Sequence, residues 1–120
     1  MATFTKNKLS GSTDGLAIKV TGTSTAATVT VHTAVAGTTS GVFDEIWLYA
    51  NNTSASAVKL TLEWGTDTAA DGNIELTIAA ESGLVLVVAG LILQNAKVVK
   101  AFAATADVLL LTGFVNSITA

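Results

Sequence analysis

Apolar and polar residues alternate one for one along several short stretches of this 120-residue chain. In "AVKLTLEW", Val58, Leu60, Leu62 and Trp64 fall on one side of an extended backbone, with Lys59, Thr61 and Glu63 on the other. "NIELTIA" repeats the pattern with Ile74, Leu76 and Ile78 against Glu75 and Thr77, and "TVTVHTAV" sets Val29, Val31 and Val35 against Thr28, Thr30 and His32. A side-chain period of two marks a half-buried strand, because successive Cβ atoms point to opposite faces of a sheet. No helical period competes in these stretches. Strands are expected near 16–20, 27–35, 43–50, 57–64, 73–79, 84–88, 98–103 and 108–115, separated by the turn-forming segments "AGTTSG", "ANNTSASA" and "GTDTAADG". Eight strands at this spacing predict an all-β fold: a single antiparallel β-sandwich, jelly-roll or Ig-like, over residues 15–120. Residues 1–14, rich in Ser and Thr around a single Phe4, are expected to form a flexible N-terminal arm.

Two segments break the alternation by being apolar on both sides. "LVLVVAGLIL", residues 84–93, lies between Glu81 and Gln94, too short for the ~20 residues a membrane helix needs. Its Val and Leu content, interrupted by Gly90, predicts a strand, a bend and a second extended piece "LIL". In "VLLLTGFV", Val108, Leu110 and Phe114 share one face, and Leu109, Leu111 and Val115 the other. A strand of a two-layer sandwich normally shows water one face, so the outer face of a strand apolar on both is expected to be covered either by a loop or, the favoured alternative, by a second copy of the chain. Leu109, Leu111 and Val115 are therefore read as oligomer-interface residues. In "FDEIWLYA", either Ile46 and Leu48 face the core with Trp47 and Tyr49 outward, or the reverse; alternation leaves both open. Outward aromatics would suit contact with self or a partner.

Composition narrows the chemistry. The chain has no Cys, so disulfides and thiolate metal sites are excluded. Charged residues make up 12%, against ~25% in ordinary soluble domains, and the net charge is −3. Six scattered lysines and no arginine do not make a nucleic-acid groove. Proline is absent too, so edge strands are expected to be paired or covered in an assembly. No apolar run follows Lys6 and Lys8, and a secretory signal is not expected.

Candidate catalytic groups are few. His32 is the only histidine; it is expected at the surface, with no second His or Cys to share a metal. A hydrolase triad would have to use it as base, and no G-x-S-x-G elbow is present. Asp44 and Glu45 are adjacent and point to opposite faces, while Glu63 and Glu75 are expected on solvent faces. Asp67 and Asp71 before Gly72 lack the ligand spacing of a calcium loop. No catalytic residue, metal or cofactor is expected. The rival to a structural role is a carbohydrate-binding module, with Trp47, Tyr49 and Trp64 as stacking platforms and Asn51 and Asn52 beside them.

"EIWLYANNTSASAVKLTLEWG" and "SGLVLVVAGLILQNAKVVKAFAATADVLLLTGFVNSI" resemble the small all-β virion proteins of tailed bacteriophages, in particular capsid decoration or cement proteins. The resemblance spans residues 43–118 and carries no catalytic signature. It implies a structural protein, made in the host cytoplasm and placed on the capsid surface, that bridges major capsid protein subunits and stabilises the head as an oligomer, often a homotrimer. Neck, tail and fibre-base components share the same look. On this reading Trp47, Tyr49 and Phe4 are the expected partner contacts, and neither nucleic acid nor membrane is a partner.

Overall fold

A computed structural model describes residues 2–119 as nine strands and no helix. They are β1 (Thr3–Lys8), β2 (Ile18–Lys19), β3 (Val29–Thr33), β4 (Phe43–Asn52), β5 (Val58–Trp64), β6 (Asn73–Ile78), β7 (Val85–Leu93), β8 (Val98–Ala103) and β9 (Leu109–Thr119). All pairings are antiparallel and fall into two sheets. Sheet A runs β1-β9-β4-β7, with β2 also paired to β9, and sheet B runs β3-β8-β5-β6. Strands β2-β9-β4-β7 facing β3-β8-β5-β6, with the chain changing sheet at nearly every connection, is the order of a jelly roll. The β-sandwich is thus as expected, and strand order selects between the two forms.

The first difference from the sequence reading lies at the N-terminus. Residues 3–8, expected in a flexible arm, form β1 and pair with β9 from Thr3↔Thr119 to Lys8↔Phe114. The physical reason is the length of β9. Its eleven residues outrun β2, which pairs only with Leu110 and Leu111, so the rest of its edge is open for β1. Leu9 follows directly and is 1% exposed in the core. Met1 and Ala120, the outer ends of the two expected segments, lie outside the described residues.

The inner faces of both sheets are aliphatic. Ile46, Leu48 and Ala50 of β4 meet Leu60 and Leu62 of β5, Val99 and Ala101 of β8, and Val31 of β3 in one cluster. Leu109, Leu111 and Val115 are each 0% exposed in that same cluster, which corrects their assignment to an oligomer interface. Strand β9 is flanked on both sides in sheet A, and these three side chains point at sheet B within a single chain. Two apolar faces therefore do mark β9, but the interface candidate is the other one. Within "LVLVVAGLIL", Val85–Leu93 forms one continuous strand with register shifts against β4 after Ile46 and after Leu48, the first accommodating Gly90 at φ +76°. Bulges of this kind bend an edge strand without ending it.

Buried polar groups join the two sheets at both ends of β4. At one end, Asp44 Oδ2 lies 2.8 Å from His32 Nε2 of β3 and accepts the Val35 N–H at 3.1 Å. At the other, Asn52, 0% exposed, donates from Nδ2 to the carbonyls of Ser56 at 2.8 Å and Ile78 at 3.0 Å, and accepts from Ser54. His32 was expected at the surface and is instead 5% exposed. A bulge between Thr30 and His32 turns consecutive residues Val31 and His32 inward, which alternation cannot foresee.

Candidate functional site

Alternation along β4 puts Asp44, Ile46, Leu48, Ala50 and Asn52 inside and leaves Phe43, Glu45, Trp47, Tyr49 and Asn51 half-buried on the outer face of sheet A. This settles the open choice in "FDEIWLYA": the aromatics face outward. The ladder extends this face sideways, since paired residues of neighbouring strands share a side. From β9 it gains Leu110, Thr112, Phe114, Asn116 and Ile118; from β1, Phe4, Lys6 and Lys8; from β2, Lys19; and from β7, Leu86, Ala89 and Ile92. Phe4 is 65% exposed, Leu86 47% and Ile92 54%, so among the described residues no loop covers the margins of this side.

The centre of the face is an aromatic stack. Trp47 and Phe114, opposite each other in the ladder, lie with ring centroids 6.0 Å apart and planes 10° from parallel. Lys6 Nζ sits 4.3 Å over the Phe114 ring in a cation–π contact. The far edge of Trp47 rests over Gly90, where an added Cβ would stand 3.0 Å from Cζ2, so the β7 bulge makes the seat for the indole. Glu45 Oε1 accepts from Trp47 Nε1 at 2.7 Å and from Asn116 Nδ2 at 3.0 Å. Those two hydrogen bonds, the Trp47 one first, hold the Glu45 carboxyl below its ordinary range against the opposing pull of burial. The one carboxylate on this face is thereby tied to the ring system. At one end the face runs into an apolar hollow of about 380 Å³ between Phe43, Ile92, Gln94 and Lys97.

Sheet B presents a different exterior. Lys59 pairs with Glu75 across β5 and β6, and Thr30, Thr77 and Lys100 stand nearby. Glu63, expected in solvent, is 2% exposed: the Thr25 hydroxyl, from the β2–β3 connection, donates to its Oε2, and Oε1 has no partner among the described residues. It borders an open hollow of about 280 Å³ with Thr66, Asp67, Lys97 and Lys100.

No catalytic arrangement emerges from the remaining candidates. His32 Nδ1 accepts the Ser10 N–H at 3.0 Å while Nε2 meets Asp44, so both ring nitrogens are engaged and the proton belongs on Nε2. No three His, Cys, Asp or Glu side chains group as metal ligands among the described residues. Trp64, proposed as a sugar platform, points inward against the core, and Asn52 is occupied by its turn. Of the sequence-derived contact residues, the structure gathers Trp47, Tyr49 and Phe4 on one face and removes Leu109, Leu111 and Val115 from it. Phe114 and Leu110 take their place, and their parity opposite Leu109 and Leu111 was the signal. No protein-family model, no curated protein and no solved structure matches this chain.

Proposed function

We propose that this chain is a structural protein that works by subunit association and surface coverage, in the manner of a phage capsid decoration protein, without a catalytic step. The observation that supports this reading is the outer face of sheet A, aromatic and aliphatic at its centre and bordered by Lys6, Lys8 and Lys19, against a sheet B exterior of Lys59, Glu75, Thr77 and Lys100 beside a half-buried Phe102. Monomeric soluble proteins seldom expose a contiguous apolar face of this breadth, and such faces mark association sites. The jelly-roll order does not decide the matter by itself, since capsid and lectin domains both use it and fold does not fix function. The mechanism is area and avidity: the face joins copies, and joined copies meet a repeating lattice of major capsid protein through several weak contacts at once. A glycan-binding role fits less well, because Trp47 spends one ring face on Phe114 and its polar neighbours Glu45 and Asn116 are bonded to the ring system.

The test is co-sedimentation of the purified protein with empty phage capsids over a concentration series. Saturable binding at a fixed ratio to the capsid protein is expected. Absence from the pellet at every concentration, together with Trp fluorescence quenching by a glycan panel, would replace this reading with the carbohydrate one.

A further inference from the structure

We propose that a second copy of this chain covers the outer face of sheet A, in a twofold, face-to-face pair. The inference rests on the reading of that face as an association surface, and it names the occupant. Three observations carry it.

The first is that Phe4, Phe43, Trp47, Tyr49 and Phe114 gather in one patch. A threefold or higher ring joins two different, mutually complementary patches of each subunit, whereas a twofold joins one patch to itself. The exposed leucines away from that aromatic patch, Leu16, Leu76, Leu84 and Leu91, lie on edge strands and connections, and the exterior of sheet B carries Lys59, Glu75, Thr77 and Lys100 beside a half-buried Phe102. The geometry therefore points to a pair, in place of the trimer that the family resemblance implies.

The second is area. Four strands about 4.8 Å apart and some ten residues long at ~3.3 Å each give a footprint of roughly 600 Å². Side-chain relief brings this close to the ~800 Å² per partner of a standard stable interface. One copy of the same sheet matches that outline.

The third is the arrangement of charge. An axis parallel to the strands, between β4 and β9, lays β4 of one copy over β9 of the other. Residues at the same level of the ladder then meet: Trp47 with Phe114, Tyr49 with Thr112, and Glu45 with Asn116 rather than with another carboxylate. The same rotation sets Lys6, Lys8 and Lys19, at the β1 and β2 margin, over the opposite margin at β7. No charged residue occurs there between Ser82 and Ala96, and Lys97 stands just beyond, in the hollow with Phe43 and Ile92. An axis perpendicular to the strands would instead oppose Lys6 and Lys8 to their own copies. Face-to-face sheets keep their strand directions within about 30°, so this alignment is an ordinary sheet packing.

The experiment is sedimentation velocity on the full chain from 1 to 200 μM, with Leu86→Lys and Phe114→Lys as face variants and Thr77→Lys on sheet B as control. The wild type and the control are expected at twice the 12.1 kDa chain mass. Each face variant should raise the dissociation constant about 30-fold or more, as loss of a central apolar contact does, with an unchanged far-UV spectrum. Leu86 is 47% exposed on an edge strand, so its variant probes the face even where Phe114→Lys disturbs folding. A monomer at 200 μM, a trimer, or a dimer indifferent to both face variants overturns the inference. A monomer that still binds capsids leaves the structural role standing and refutes only the pair; a monomer that binds none refutes both.

Discussion

Replacing both Leu109 and Leu111 by serine distinguishes a core from an interface, because the two roles give opposite outcomes. Each side chain is 0% exposed within one chain, Leu111 lying in the ladder between Ile18 and Ala50, and Leu109 beside Asn52. Truncating a buried leucine costs about 2–5 kcal/mol through lost transfer energy and the cavity left behind. The serine hydroxyl, lacking a partner among aliphatic neighbours, adds about 1–3 kcal/mol. Two such changes cost at least about 6 kcal/mol, comparable to the whole stability of ~5–15 kcal/mol typical of a domain. The double variant should be largely unfolded, and the milder Leu111→Ala should lose about 3 kcal/mol. With a urea m-value of about 1.5 kcal/mol/M, that is a midpoint lower by about 2 M. Urea titration followed by far-UV circular dichroism reads both. Leu110→Ser, whose side chain is on the outer face, should move the midpoint by less than about 0.5 M. A double variant that kept the wild-type midpoint and differed only in mass would refute the core assignment and restore these residues to an interface.

Three further expectations rest on polar groups and backbone geometry. His32→Ala strips Asp44 of its buried partner and leaves the Ser10 N–H without an acceptor; it should cost about 3 kcal/mol, read as a lower urea midpoint with faster amide exchange at Ser10. Glu45 has a lowered carboxyl pKa in the folded state, so its contribution to stability is complete above the unfolded value near 4.5 and is lost as pH falls through the lower folded value. Unfolding midpoints from pH 6 to 2 should therefore fall more steeply for the wild type than for Glu45→Gln, and parallel curves would remove Glu45 from the acid response. Gly90→Ala puts a Cβ at φ +76° and 3.0 Å from the Trp47 ring. A cost of about 1–2 kcal/mol and an altered near-UV aromatic signal are expected, and an unchanged spectrum would show that the indole does not depend on that seat.

What the sequence disclosed followed from periodicity. Strands β4 and β8 are legible because each buries one face and the period of two survives intact, whereas Thr61 and Glu63 of β5 are buried against their polar parity and Leu76 of β6, expected inward, is 38% exposed. Strand β1 was hidden: "TFTKNK" is exposed along its whole length, and it exists as a strand only because β9 offers an open edge to pair with. His32 was misplaced by a single bulge, and Glu63 by a hydroxyl from a distant connection. The apolar-on-both-sides signal in β9 was real, yet it could not say which face belonged to the core. That answer lies in sheet order, which brings β9 to the middle of sheet A and fixes its odd-numbered residues toward sheet B.

The register of the inner packing is set by groups that lie away from the outer face. Burial of one aliphatic face fixes which side of a strand turns inward, because a slip of one residue would expose it. Here the register of β4 is pinned at both ends by buried hydrogen bonds that cross between sheets, Asp44 to His32 at one end and Asn52 to the Ile78 carbonyl at the other. A slip of one residue would break both and turn Ile46, Leu48 and Ala50 outward. None of those contacts involves Trp47, Tyr49, Phe114, Leu86 or Phe4. Phe4 and Leu86 are 65% and 47% exposed within the single chain, while Trp47, Tyr49 and Phe114 are half-buried. Five large apolar side chains on one surface, bordered by Lys6, Lys8 and Lys19, are the feature that the proposed second copy would cover.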